Sequence, residues 1–257
     1  MKIHFFEEFP EPSQLETARG LPKGTRVYLA ARGKTPFLEA RQRLLDVEDG
    51  LEVAYWPLLL ASYWVSAFAC PEDLQHLEDE LSSWPEAVGA PVMLDLELPL
   101  LRPGAFVRYG HQFRRNQRRI KHLMQGLAAA GVEVLTAEYP APSRSLWWML
   151  EKAGISFSFA EVPHRKIVMY YTSILCSPWL LRQVQKQLER LAEEWGERLC
   201  VGIGCLETGI FGNEPILTPQ ELERDLRFVR SLGIEEAVLF RLGGLRGSLR
   251  DVVERYL

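Results

Sequence analysis

Two carboxylates interrupt a short apolar run near the middle of the chain, at Asp95 and Glu97 in the stretch VMLDLELPL. Side chains alternate along an extended strand, so Met93, Asp95 and Glu97 share one face and the leucines share the other. The two acidic side chains then start roughly 7 Å apart. If they are buried together, each disturbs the ionisation of the other, and one keeps its proton near neutral pH. A proton held in this way is what general acid catalysis requires.

The elements that position these acids follow a regular alternation along the chain. Eight apolar runs predict strands, and helical patterns lie between them, which favours parallel strands joined by crossover helices. Eight such units close a barrel, so the sequence predicts one (β/α)8 TIM barrel domain over residues 1–257. The predicted strands are residues 3–7, 26–31, 52–56, 92–97, 133–137, 167–171, 199–206 and 237–241. Strand six stays ambiguous, since residues 155–160 are also strand-like.

Active sites of such barrels form at the carboxyl ends of the strands, and acids and aromatics recur at those positions here. We predict Asp95, Glu97 and Glu207 as catalytic residues. Trp56, which ends strand three, offers an aromatic face on which a sugar ring can stack. The predicted substrate-binding residues are Glu7, Arg32, Trp56, Glu138, Tyr139, Tyr171 and Arg241. On strand seven, Val201, Ile203 and Cys205 could face inward, or the opposite assignment could hold.

The Asp95-Leu96-Glu97 motif resembles the Asp-x-Glu pair that ends strand four in chitinase-like glycoside hydrolase barrels. That resemblance implies Glu97 as the acid, Asp95 orienting the substrate's own amide, and Tyr170 or Tyr171 assisting. Met93 and Leu94 stand where that family has further acid and glycine. A second barrel glycosidase pattern, with one glutamate on strand four and another on strand seven, would pair Glu97 with Glu207. Both patterns imply hydrolysis of a small saccharide.

Three other interpretations remain open at the level of sequence. Asp95 and Glu97 could be structural, paired with Arg32 or Arg241. The loop that contains Gly243 and Gly244 could bind a phosphorylated ligand, because barrels often hold phosphate after strands seven and eight. The barrel could also bind carbohydrate without catalysis.

The composition limits the kinds of partner that the protein is expected to bind. The net charge of −4 argues against nucleic acid, which requires a basic surface. The start of the chain does not resemble a signal peptide, and the longest uncharged stretch contains a proline, so no membrane segment is expected. The cysteines, which are Cys70, Cys176, Cys200 and Cys205, form no CxxC motif and suggest reduced thiols in the cytoplasm. No pattern indicates a cofactor or a metal, although Asp95, Glu138 and Glu207 are a conceivable magnesium set.

Overall fold

A closed barrel of eight parallel strands forms the centre of the molecule in a computed structural model, which describes residues 1–99, 103–175 and 177–257. Each strand pairs with the next along the chain, and the last pairs with the first, so the predicted (β/α)8 barrel is confirmed. The strands are β1 Lys2–Glu7, β2 Arg26–Ala31, β3 Glu52–Pro57, β4 Val92–Leu96, β5 Val134–Glu138, β6 Arg165–Tyr170, β7 Leu199–Gly204 and β8 Glu236–Phe240.

Helices connect the strands, and several of them begin where the sequence places a cap. Thr218 forms a capping box with Glu221 ahead of Pro219, and the Ser177 hydroxyl accepts a hydrogen bond from the Leu180 amide. The helices are α1 Pro12–Leu15, α2 Lys34–Val47, α3 Pro71–Ser82, α4 Trp84–Ala87, α5 Gly104–Tyr109, α6 Phe113–Ala129, α7 Arg144–Lys152, α8 Pro178–Trp195, α9 Pro219–Ser231 and α10 Gly247–Glu254. None of the helices within the described ranges has the length and apolar composition that crossing a bilayer requires.

Apolar side chains form two layers on either side of the strands. Leu94 and Leu96 of β4 belong to the larger layer, between the barrel and its helices, whereas Met93 belongs to the smaller one inside the barrel. This division follows the alternation read from the sequence, and it leaves Asp95 on the inner face. The barrel interior is therefore a packed apolar core with carboxylates at one end.

Two details of the strands were open in the sequence and are decided by the structure. β6 is the second of the two candidate runs, and Ile155 and Phe157 of the first are buried in the outer layer. On β7 the glycines face the barrel interior, while Val201 and Ile203 face the helices. A Cβ on Gly204 would lie 3.1 Å from the ring of Tyr171. The absence of a side chain at this position therefore leaves space for that ring.

Candidate active site

A cavity of about 360 Å³ opens at the carboxyl ends of the strands and contains Asp95 and Glu97 in its wall. This volume is at the lower end of the range for small-molecule sites. Asp95 is 4% exposed and Glu97 is partly exposed. The other lining residues include Phe6, Glu8, Trp56, Trp64, Met93, Tyr139, Met169, Tyr171, Cys205, Phe211, Glu214 and Phe240. The wall is thus largely apolar and aromatic, with a few carboxylates.

The carboxyl groups of Asp95 and Glu97 are joined by a hydrogen bond, which requires one proton between them. Burial and then the charge of Glu97 raise the pKa of Asp95 well above its usual value. Burial also raises the pKa of Glu97, opposed by hydrogen bonds from Tyr139 and Asp95 that favour its ionised form. Within the pair, these influences favour a proton on Asp95 and the ionised form of Glu97.

Neither carboxyl has a cationic partner among the residues that the structure describes. The Tyr139 hydroxyl donates to Glu97 Oε2 over 2.6 Å, and Asp95 Oδ1 is buried with no hydrogen-bond partner. The two arginines considered as partners lie elsewhere: Arg32 is exposed outside the cavity, and Arg241 pairs with other acids. Both carboxyls remain available to a ligand.

Two further carboxylates line the cavity, and sequence reasoning had not selected either of them. Glu8 is 4% exposed, and its pKa is raised to about 7 by burial, against the hydrogen bond that Tyr63 donates to it. Glu214 accepts a hydrogen bond from the Phe211 amide over 3.0 Å. The alternation of Phe6 and Glu8 at the end of β1 was the available signal for the first. Glu214 lies on the long loop after β7, where no periodicity identifies the inner face.

Aromatic side chains from several strands complete the wall. Trp56 is 3% exposed, packs edge to face on Phe6 with ring centroids 5.6 Å apart, and leaves its buried Nε1–H without an acceptor. Tyr171 packs against Phe240, and burial raises its pKa well above the usual value, so its hydroxyl stays protonated. Tyr170 instead faces the outer layer, where its hydroxyl accepts a hydrogen bond from Gln185. The predicted binding residues Trp56, Tyr139 and Tyr171 are thus brought together with Asp95 and Glu97.

Three of the selected residues form a separate ion network beside the cavity. Arg241 lies 2.9 Å from Glu7 Oε1 and 3.3 Å from Glu207 Oε2, and Glu7 is fully buried. None of the three lines the cavity. β8 pairs with β1, so this network connects the first strand of the barrel to residues that follow the last two strands.

Glu207→Gln is expected to leave kcat/KM within about threefold of the wild type, because Glu207 does not line the cavity and its loss removes no contact with a bound transition state. Steady-state kinetics on a cleaved substrate measures this. Because Arg241 keeps its closer partner Glu7, loss of the partly exposed Glu207 carboxylate is expected to cost about 1 kcal/mol or less of stability. A fall in kcat comparable with that of a Glu97 variant would instead place Glu207 in the chemistry.

Glu138 also lies away from the cavity, on the helix side of the barrel. Its carboxylate accepts hydrogen bonds from the Lys166 ammonium over 2.6 Å and from the Thr136 hydroxyl over 2.7 Å. Although burial alone would raise it, the pKa of Glu138 is lowered to about 2 by Lys166 and then by His164. The structure thus places Glu138 in a buried ion pair and not with the other acids.

The loop considered for phosphate already uses its backbone donors. The Gly243 amide donates to Glu7 Oε2 over 2.7 Å, and the Gly244 amide donates to the Arg241 carbonyl over 3.1 Å. Leu242, Gly243 and Gly244 are all buried. An anion would have to displace the Glu7 carboxylate there, so these two amides are not free to bind a phosphate.

No cluster of three or more metal-ligating side chains occurs within the described ranges. The set weighed for magnesium is dispersed: Asp95 lines the cavity, Glu138 pairs with Lys166, and Glu207 pairs with Arg241. Cys70, Cys200 and Cys205 are free thiols, and Cys176 lies outside the described residues.

Several solved structures with the same architecture are chitinases, although no protein-family model and no curated protein matches the sequence. A GH18 chitinase from Pseudoalteromonas aurantia superposes with a TM-score of 0.62 over 99% of both chains at 11% identity. A chitinase from Chromobacterium violaceum gives 0.61 over 99% of this chain and 98% of the other, at 10% identity. The GH18 chitinase from Cycas revoluta in complex with (GlcNAc)3 gives 0.59 over 99% of both, at 10% identity.

The chain has a chitinase-like barrel fold. At these identities the likeness concerns the fold, and the chemistry has to be argued from this chain's own residues. The cavity contains Asp95 of β4, Glu97 just after that strand and Tyr171 after β6, and Met93 and Leu94 stand where the chitinase-like pattern would continue with acid and glycine.

Proposed function

We propose that this protein is a glycoside hydrolase that acts on a small saccharide carrying an N-acetylamino group, with Glu97 as the general acid. The observation that carries the proposal is the hydrogen-bonded Asp95–Glu97 pair, which lies in an aromatic-lined cavity. Among the residues that the structure describes, this pair has no cationic partner. A buried acid pair without a counter-ion destabilises a fold, so its presence at the active-site end of a barrel favours a catalytic role.

The shared proton supplies the first step. When a saccharide occupies the cavity, the proton passes from Asp95 to Glu97, and Glu97 delivers it to the glycosidic oxygen as the bond to C1 breaks. Asp95 is then ionised beside the sugar, where it accepts a hydrogen bond from the N–H of the substrate's amide. The amide carbonyl oxygen bonds to C1, and the negative charge of Asp95 stabilises the cation that results.

The second step regenerates the pair. Glu97, now a carboxylate, removes a proton from a water molecule that attacks C1, and the amide carbonyl leaves C1 as the ring that it formed opens. The Tyr139 hydroxyl stabilises the ionised Glu97 in this step through its hydrogen bond. Substrate assistance suits this site because Glu207, the alternative nucleophile, is bound to Arg241 outside the cavity.

Incubation of the purified protein with N-acetylglucosamine oligosaccharides, followed by chromatography of the products, tests the proposal. Cleavage products are expected, and with matched glucose oligosaccharides, which lack the amide, they are not. Equal cleavage of both would remove the assisting role of the amide. Absence of cleavage of either oligosaccharide would overturn the proposal, whether or not calorimetry detects binding.

Tyr139→Phe is expected to shift the basic limb of the kcat/KM profile to higher pH. The Tyr139 hydroxyl favours the ionised form of Glu97, so its removal raises the pKa of that carboxyl, and the catalytic proton is lost at a higher pH. The pH dependence of kcat/KM measures the shift, with Tyr256→Phe near the chain end as a control. A basic limb that does not move, or moves to lower pH, would contradict this assignment.

A further inference from the structure

Glu8 and Glu214 form a second acidic group in the cavity, distinct from the Asp95–Glu97 pair. A Cβ built on Gly209 would lie 2.8 Å from Glu8 Oε2 and 3.0 Å from Glu214 Oε1, so the two carboxylates converge on one point of the wall. They come from distant parts of the chain, the end of β1 and the loop after β7. Gly209 is required between them, since any side chain there would meet both.

Each of these carboxylates retains an acceptor atom that the protein does not use. Glu8 Oε2 and Glu214 Oε2 are buried and have no hydrogen-bond partner, although Tyr63 and the Phe211 amide satisfy the other oxygens. A buried carboxylate oxygen without a partner costs free energy unless a ligand supplies the donor. Glu8 is only 4% exposed and lines the cavity. Its free oxygen is therefore placed to accept a hydrogen bond from a ligand that enters the cavity.

Aromatic rings lie beside these acids. Trp64 packs on Phe211 with ring centroids 5.9 Å apart, and Tyr63 packs edge to face on Trp64 at 5.3 Å. Trp64 and Phe211 line the cavity, as do both acids. Carboxylates combined with aromatic faces are the groups that bind ammonium ions, through charge-assisted hydrogen bonds and cation–π attraction.

The charge of the cavity wall also favours a positively charged ligand. Its lining residues include Glu8, Asp95, Glu97 and Glu214, and no lysine, arginine or histidine is among those that the structure describes. Arg241, the cation that influences Glu8, is itself paired with Glu7 and Glu207 outside the wall. A positively charged ligand would thus offset the repulsion between these acids.

We infer that the cavity binds a saccharide bearing a free ammonium group, held by Glu8 and Glu214 beside Trp64 and Phe211. This inference rests on the proposed function and narrows its substrate to an amino sugar oligosaccharide that is only partly N-acetylated. The N-acetylated residue lies at Asp95 and Glu97, and the residue with the free amine lies at the second acidic group.

Calorimetry on the Glu97→Gln variant, in which turnover is expected to be much slower, tests the inference. The probes are the two disaccharides that combine one glucosamine with one N-acetylglucosamine, and the fully N-acetylated disaccharide of the same linkage. At least one mixed disaccharide is expected to bind about tenfold more tightly than the neutral one, because hydrogen bonds to charged groups are the stronger class. Adding Glu8→Gln or Glu214→Gln removes that preference, while Glu189→Gln on the exposed face of α8 preserves it.

Proton release provides a second readout. An ammonium ion favours the ionised form of Glu8, so binding near pH 7 is expected to release protons, which calorimetry in buffers of different ionisation enthalpy detects. The charged or titratable groups facing Glu8 come from several parts of the barrel and are Tyr63 after β3, Asp95 of β4, Glu97 after β4, Tyr171 after β6, Cys205 and Glu214 after β7, and Arg241 after β8. The release should disappear with Glu8→Gln.

The outcomes separate this inference from the proposed function. Equal affinity for charged and neutral disaccharides, no binding of any, or a preference that survives both Glu8→Gln and Glu214→Gln overturns the ammonium site. Thermal unfolding of each variant confirms that it is folded, and Glu214→Gln alone suffices if Glu8→Gln does not fold. Failure of the wild type to cleave any oligosaccharide would overturn the hydrolase, whatever the binding preference.

Discussion

Glu97→Gln is expected to lower kcat by about 10²- to 10⁴-fold, the range that a general acid contributes to catalysis. Glutamine has nearly the shape of glutamate and can still accept the hydrogen bond from Tyr139, but it has no proton to give to the glycosidic oxygen. The KM should change much less than kcat, because the lost interaction exists only in the transition state. Initial rates of oligosaccharide cleavage measure the effect.

The matched control for this variant is Glu189→Gln, which makes the same chemical change on an exposed helix face. Its kcat should equal that of the wild type. The Glu97→Gln protein should also be at least as stable as the wild type, since the substitution removes a carboxylate from a site where burial disfavours the charge. A kcat within threefold of the wild type, in a variant that thermal unfolding shows to be folded, would show that Glu97 is not the acid.

The barrel could be predicted because its signals are local. Each strand is an apolar run, several helices have caps or first-turn prolines, and the order of elements admits few topologies. The inner position of Asp95 could be predicted for the same reason, since β4 alternates cleanly between leucines and acids. Information that lies within one element is available from the sequence alone.

Sequence reasoning has less to work with where contacts between distant elements decide which way a side chain faces. Glu7 and Glu8 are adjacent at the end of β1, and the alternation with Phe6 favours Glu8, but Glu7 was selected. Arg241 and Glu207 follow β8 and β7, beyond the ends of both strands, and they pair with each other beside the cavity. Glu214 lies in a loop, so its position depends on the packing of that loop over Gly209.

Lys166 offers the clearest example of such a contact. A lysine within the apolar run RKIVMY of β6 indicates that a buried acid lies nearby, but the sequence does not show which acid it is. In the structure that acid is Glu138. Lys166 Nζ donates to Glu138 Oε2 over 2.6 Å and to the Ser156 hydroxyl and the Phe157 carbonyl over 3.0 Å each. Its ammonium also lies 4.6 Å from the ring centroid of Trp195. All three donors of a fully buried ammonium are thereby used.

Lys166→Met is therefore expected to destabilise the fold by about 3–5 kcal/mol, because it leaves the Glu138 carboxylate buried without its counter-ion. Methionine fills much of the space of the lysine stem, so most of the loss is electrostatic. Chemical denaturation at pH 7 measures it, with the exposed Lys186→Met on α8 as a control that changes stability by about 0.5 kcal/mol or less. The double variant Lys166→Met/Glu138→Leu should recover part of the loss, since it removes the charge that was left unpaired.

The pH dependence distinguishes this ion pair from simple packing. The pKa of Glu138 falls from an ordinary 4.5 to about 2 in the folded protein, so the stabilisation is complete above about pH 4.5 and is lost as the pH falls towards 2. In Lys166→Met the main lowering influence is absent and only that of His164 opposes burial, so the pKa of Glu138 rises and its protonated form is tolerated. The stability difference between wild type and variant should accordingly shrink between pH 4.5 and 2. A difference that stays constant over that interval would mean that Lys166 stabilises the barrel through its stem and the two tryptophan rings around it, and not through its charge.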